Sequence, residues 1–174
     1  TQLKELGMSE CQFKINITSD NSLISKNGYD KVTFLIKTNK KSKLLPLSEI
    51  ASGGELSRLS LVIQLETRSN NDCETMIFDE IDRGIGGATA DAVGRRLVRL
   101  SQNAQILTVT HSPQVAALGD AHFQVSKSTN SISTITEVTT LHGDTRIEEI
   151  ARMISGDKIT AAAINAAATL VAGR

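Results

Sequence analysis

Met76-Ile77-Phe78-Asp79-Glu80-Ile81-Asp82-Arg83-Gly84-Ile85-Gly86-Gly87 decides how the rest of the chain is understood. It opens on an apolar run, passes through adjacent carboxylates and ends in a glycine-rich loop. Thr75 to Phe78 predicts a short buried strand. A helix is expected after the loop, because Val93, Leu97 and Leu100 recur at steps of four and three, and Gln105 to Thr110 predicts a second buried strand. Strand, helix, strand with both strands apolar implies a parallel pair with a right-handed crossover. Asp79 and Glu80 then fall at the carboxyl end of a parallel strand, where open α/β sheets bind ligands. Successive strand side chains point to opposite faces, so the two carboxylates are expected to do different work. An Asp there can hold a hydrated magnesium ion, and the Glu can orient or deprotonate a water attacking a phosphoryl group. The plainer alternative is two solvated charges at a strand end. Gly84, Gly86 and Gly87 suit either a simple turn or a loop that must approach another surface closely.

Two more segments flank this one. Upstream, Ser52-Gly53-Gly54-Glu55 opens a helix whose Leu56, Leu59, Ser60 and Ile63 fall at i, i+3, i+4 and i+7, an expected core-facing stripe. Ser52 and Glu55 have capping-box spacing. Two glycines in a first helical turn cost roughly 1 kcal/mol each relative to Ala, so something is gained by removing both side chains. Bare amides at a helix N-terminus make an anion site. Downstream, His111 ends the second strand; it is either a surface histidine or, if the parallel pairing brings it beside Asp79 and Glu80, a donor to a terminal phosphate. His122 and His142 have no such neighbours in sequence.

Residues 11–19 and 30–38 alternate apolar and polar, with Phe13, Ile15 and Ile17 on one face and Val32, Phe34 and Ile36 on one face, and predict half-buried strands around an Asn27-Gly28 turn. Ser112-Pro113 starts a short helix. Residues 121–127 and 131–139 predict an antiparallel pair about Asn130, and two helices follow, one with Ile147, Ile150, Ala151 and Ile154 inward and an Ala-rich one from Thr160.

At 174 residues, 40% hydrophobic and 22% charged, the chain has the size of one globular domain and is neither collagen-like nor disordered. Nineteen Lys+Arg balance nineteen Asp+Glu, which argues against a basic nucleic-acid coat. Lys37, Lys40, Lys41 and Lys43 form a local basic cluster, and Arg95, Arg96 and Arg99 a basic helix edge; both read as solvated charge or as phosphate contacts without base readout. Aromatics are 3%, too few for stacking platforms. Cys11 and Cys73 are too few for a disulfide scaffold, so a reducing cytoplasm is expected, and no apolar run approaches the roughly 20 residues of a membrane span.

In this order and spacing the segments resemble the C-terminal lobe of an ABC-type ATPase head. SGGE looks like the signature motif, MIFDE like Walker B, the glycine-rich stretch like the D-loop and His111 like the switch histidine. The wider text, Ile50 to Arg58, FDEIDRGIGG, VTHSPQVAA and RIEEIARMISG, closely resembles the RecN family of bacterial SMC-like ATPases in recombination and DNA double-strand break repair. The resemblance implies an α/β fold, largely a parallel sheet with flanking helices and antiparallel edge strands. It implies that residues 1–8 leave a coiled-coil arm and that 9–174 form the lobe. It implies ATP and Mg²⁺ as ligands, with Asp79 supporting the metal through water, Glu80 the catalytic base and His111 on the γ-phosphate. Ser52, Gly53, Gly54 and Glu55 would bind the nucleotide of a second head, and Asp82, Gly84 and Gly86 would act as D-loop contacts. The implied partners are the chain's own N-terminal head lobe, a second head in an ATP-dependent homodimer, and DNA, with no membrane; the implied location is the bacterial cytoplasm and nucleoid. Two departures stand out: the chain has no Gly-Lys dipeptide and hence no Walker A, and Gly86 falls where a D-loop ordinarily ends in Asp. As given, this is half a head, expected to leave a sheet edge or apolar surface exposed and to be inactive alone.

Overall fold

A computed structural model describes residues 2–20, 22, 24, 26, 28–40, 42–50, 53–67, 74–129 and 134–174. The first alternating segments form β1 (Gln12–Ser19) and β2 (Asp30–Lys37), an antiparallel pair in which Phe13 faces Ile36, Ile15 faces Phe34 and Ile17 faces Val32. A short β3 (Leu45–Pro46) adds to β2. Gly28 has φ +96°, as a tight return requires; Asn27 lies outside the described residues. The expected half-burial holds only at one end. Ile36 packs with Met8 and Leu59, whereas Ile15, Ile17 and Val32 are more than half exposed and Phe13 stacks on Phe34 at 5.8 Å without a cover.

Helix α1 (Gln2–Glu5) leads into Leu6, which is fully buried, so the first residues are part of the core. Helix α2 (Gly53–Thr67) buries half of the expected stripe: Leu59 meets Met8 and Ile36 with Ile63 packed beside them, but Leu56 is 43% exposed and Ser60 is exposed. Leu61, outside the stripe, enters the main core with Leu6, Phe78, Ile81, Val93 and Leu97. Leu59 and Leu61 lie roughly 200° apart around a helix. Packing from two sides breaks the single stripe.

The strand, helix, strand unit is present as β4 (Thr75–Phe78), α3 (Gly87–Ser101) and β5 (Gln105–Thr108), with Ile77 beside Leu107 in a parallel pair. β5 stops two residues short of the expected end. Val93, Leu97 and Leu100 are buried as predicted. Among the described residues the parallel part amounts to these two strands, joined by one such crossover, and the antiparallel strands form separate sheets. Nor are β4 and β5 buried on both faces. Met76, Phe78 and Ile106 face the core, but Ile77, Leu107 and Val109 are 70%, 43% and 61% exposed.

Ser112 precedes α4 (Pro113–Leu118), though its hydroxyl donates to Gln114 Oε1 and not to the backbone. β6 (His122–Thr129) and β7 (Thr134–Leu141) pair as expected; Asn130 lies outside the described residues. Then come α5 (Gly143–Ser155) and α6 (Ala161–Ala172), the latter capped by Thr160, whose hydroxyl accepts from Ala163 N. Ile150 and Ala151 face inward as predicted while Ile154 is 40% exposed; Ala117, Ala163 and Ala167 let α4, α5 and α6 close on Ile150. Buried Arg146 donates from Nη2 to the carbonyls of Ala116, Ala117 and Gly119, placing a cation where the α4 dipole is negative.

Glu149 is 9% exposed and accepts from Arg152 Nε and Nη2 at 2.8 and 2.7 Å and from Gln124 Nε2 at 2.6 Å. The Arg152 hydrogen bonds hold its carboxyl below the usual range. Burial likewise pulls the His122 imidazole down, with Arg146 adding to it. Both groups bind protons less readily folded than unfolded, so each contributes stability at neutral pH that is lost on acidification, first through the imidazole range and then through the depressed carboxyl. Glu149→Gln is expected to lower stability by about 1–3 kcal/mol and to flatten the carboxylate limb of the melting temperature against pH. An unchanged acid limb would contradict this.

Candidate active site

Strands β4 and β5 run out in the same direction, and the amide of Val109 donates to the carbonyl of Phe78 at 2.9 Å beyond the end of β5. Residues 79–83 and 109–111 therefore emerge side by side. Asp79, Glu80, Asp82, Arg83, Val109, Thr110 and His111 line an open depression of about 420 Å³. The parallel pairing has brought the histidine to the acidic pair.

Strand geometry ends at Phe78, so the alternation argument for Asp79 and Glu80 does not apply; both line the same depression. Glu80 has φ +55°, the one non-glycine residue with positive φ among the described residues. A left-handed Glu costs of order 1–3 kcal/mol, and such strain gathers at functional sites. The sequence carried no sign of it. The Glu80 carbonyl accepts from Arg83 N at 3.1 Å, closing a turn, and its Oε1 accepts from Arg83 Nη1 at 2.8 Å. Both side chains are substantially exposed, so the ion pair is a weak tether.

The glycines that open α2 have a local explanation. A Cβ on Gly54 would lie 3.1 Å from the Arg83 carbonyl and 3.2 Å from that of Glu80, and one on Gly53 would lie 3.0 Å from Glu80 Oε2. Gly54 is buried and Gly53 exposed. The Cα of Gly54 thus packs against its own chain, a reason for glycine there that is independent of any nucleotide. Glu55 is half-buried on the same turn; Ser52, and with it the capping box, lies outside the described residues.

Two residues of α2 that sequence reasoning missed hold the acidic turn. Buried Arg58 donates from Nη1 to the carbonyls of Ile81 at 3.4 Å and Arg83 at 3.3 Å, and Ser57 Oγ donates to the Asp79 carbonyl at 3.0 Å. Burial lowers the Arg58 pKa, against the pull of Glu55. An arginine four residues after Gly54 shares its helix face, the one signal available in the sequence.

Asp82, expected as a D-loop contact to nucleotide, has a fully buried side chain. Its Oδ2 accepts from Thr110 Oγ1 and, at 3.0 Å, from Ser112 N. It faces the strand end that carries His111. Gly84 has φ +72°, and open space surrounds both Gly84 and Gly86. These two remain at the surface.

No group of three or more His, Cys, Asp or Glu is poised as a metal cage among the described residues. Asp79, exposed at the depression, fits a hydrated magnesium ion, which takes one or two carboxylates plus phosphate oxygens. Elsewhere, Arg95 pairs with Asp91, Arg96 with Glu5 and Lys40 with Glu10, which accounts for part of the basic patches; Lys41 is outside the described residues. No helix among the described residues is long and apolar enough to cross a membrane.

No family model matches the chain. Curated relatives do. It is 44% identical over 171 residues to the DNA repair protein RecN of Vibrio cholerae, covering 98% of this chain and 31% of that protein. To RecN of Bacillus subtilis it is 37% identical over 173 residues, covering 91% of this chain and 30% of the relative. The chain thus spans under a third of the length of these relatives. Among solved structures, the Smc head domain with a coiled coil and joint from Pyrococcus yayanosii superposes with TM-score 0.58 at 17% identity, covering 88% of this chain and 28% of that one. A second, from work on ATP-driven dimerization and DNA stimulated activation of SMC ATPases, gives TM-score 0.51 at 14% identity and 89% coverage of both chains. With the fold of an SMC head's C-terminal lobe, and relatives that agree along nearly its whole length, the chain belongs to the RecN family.

Proposed function

We propose that this chain is the half of an ATP-hydrolysing head that carries the hydrolytic groups, in a protein acting on DNA double-strand breaks at the bacterial nucleoid. The observation that carries the reading is the convergence of Asp79, Glu80 and His111 on one depression at the carboxyl ends of a parallel strand pair. Glu80, once its exposed tether to Arg83 is released, takes a proton from a water whose oxygen bonds to the γ-phosphorus of ATP. The bond from that phosphorus to the bridging oxygen breaks, and ADP and phosphate leave. His111 donates a hydrogen bond to the γ-phosphate, and Asp79 holds magnesium through water. Magnesium, when bound with the nucleotide, neutralises phosphate charge.

The triphosphate cradle must come from a segment outside this chain, since no Gly-Lys occurs in it. We assign to that segment, the N-terminal head lobe, the uncovered apolar face of Ile77, Leu107 and Val109, because a two-stranded sheet with one face in water is marginal by itself. Exposed Gly53, Gly84 and Gly86 are the surface offered to a second head, and Ser52 and Glu55 belong to the same sequence motif as Gly53. Residues 1–8 are the exit from the arm. DNA contact follows from the relatives' role and not from a recognition helix in this chain.

In the intact protein, Glu80→Gln is expected to retain ATP binding, slow turnover by about 10²-fold or more and accumulate the nucleotide-bound head pair, read by size exclusion with ATP. A variant indifferent in both turnover and pairing would make the chain a docking domain and overturn the reading. The chain alone is expected to release no phosphate above background in a turnover assay, and to gain activity when the other lobe is added. Substantial hydrolysis by the chain alone would contradict the division of labour.

A further inference from the structure

We propose, resting on the ATPase reading above, that Asp82 is a positioning residue for His111: it fixes which ring nitrogen faces the protein and which meets the phosphate. The side chain of Asp82 is fully buried, whereas that of His111 is 72% exposed. One carboxylate oxygen, Oδ2, binds the residues on either side of the histidine, accepting from the Thr110 hydroxyl and the Ser112 amide. Ser112 N also donates to Thr110 Oγ1 at 3.0 Å, so the turn is closed on itself as well. The backbone that carries His111 is thereby fixed to the acidic turn that carries Glu80.

The other oxygen, Oδ1, is buried and has no hydrogen-bond partner, and His111 Nδ1 lies 3.7 Å from it. That separation is too long for a hydrogen bond. Leaving a buried carboxylate oxygen unpaired is costly, and the exposed ring is free to turn the small distance that closes the contact, as catalytic hydrogen bonds do when a site is loaded. Nδ1–H then donates to Asp82, and Nε2, on the far side of the ring, faces the depression. A carboxylate on Nδ1 holds the ring in place and stabilises its doubly protonated form, in which Nε2–H donates to the γ-phosphate of the loaded site; in the empty site the neutral ring carries its one proton on Nδ1. A carboxylate needed only to shape the turn would use Oδ2 alone, and an amide would serve equally well.

Asp82→Asn separates the two roles. The amide keeps an oxygen for Thr110 and Ser112 but sets an NH₂ group before Nδ1, which must then accept, so the ring proton moves to Nε2. Nitrogen-15 spectra of the intact protein, histidine-labelled and recorded where the imidazole is neutral, with His111 assigned by its loss in His111→Gln, are expected to show the Nδ1–H form in the wild type and the Nε2–H form in Asp82→Asn. Turnover of ATP is expected to fall about 10- to 100-fold in kcat with KM within about twofold. Thr110→Val, which removes one bond to Oδ2 and leaves Oδ1 in place, is expected to keep the wild-type tautomer. The same tautomer in wild type and Asp82→Asn would overturn the proposal, as would an Nε2–H wild type should the variant not fold. If the intact wild-type protein hydrolyses no ATP, the functional reading falls, and the spectra still decide the role of Asp82.

Discussion

The turn from Asp79 to Gly84 is gripped from two sides, and the rest of the site depends on that grip. From α2, Arg58 takes two of its carbonyls, Ser57 a third, and Gly54 packs where a Cβ would press on the Arg83 and Glu80 carbonyls. From the other side, Asp82 binds the residues that flank His111. A left-handed Glu80 is unfavourable in isolation and persists because the surroundings over-determine it. The helix, both parallel strands and the loop before α3 are thus tied to one short stretch of chain, and Asp79 and Glu80 sit on it.

The same geometry leaves the molecule polar at the rim of the depression and apolar on faces that nothing among the described residues covers. Ile77, Leu107 and Val109 lie on the far face of strands whose near face fills the main core. Phe13, Ile15, Ile17, Val32 and Phe34 form a second open face on β1 and β2. Apolar faces of this extent on a chain that matches under a third of its relatives' length are surfaces that want partners. A nucleotide site assembled at such a seam would couple its occupancy to how firmly the pieces are joined.

Much of this was legible from residue types. Alternation located β1, β2, β6 and β7, steps of three and four located α3 and α5, and the parallel pairing expected of the two apolar strands put the acidic pair and the histidine at one depression. What escaped was whatever depends on contacts across the fold. Only half of the stripe expected on α2 is buried, because Leu59 and Leu61 serve two cores at once. The strands expected to be buried are half open, because no second layer among the described residues covers Ile77 and Leu107. Gly54 has a second reason to be glycine that the sequence did not show, since its missing side chain makes room for the Glu80 and Arg83 carbonyls. Arg58, buried on a helix face, and the inward carboxylate of Asp82 are invisible to periodicity, because nothing local requires them.

The central claim is that one rim receives the terminal phosphate, with the acidic turn beneath it and the histidine beside it. The structure of the intact protein with magnesium and a non-hydrolysable ATP analogue tests it most directly. The account predicts the γ-phosphate within hydrogen-bond reach of His111, the attacking water at Glu80, and Gly53 of a second head at the same nucleotide. A triphosphate bound away from Asp79 and Glu80, or one with His111 turned from it, would contradict the account.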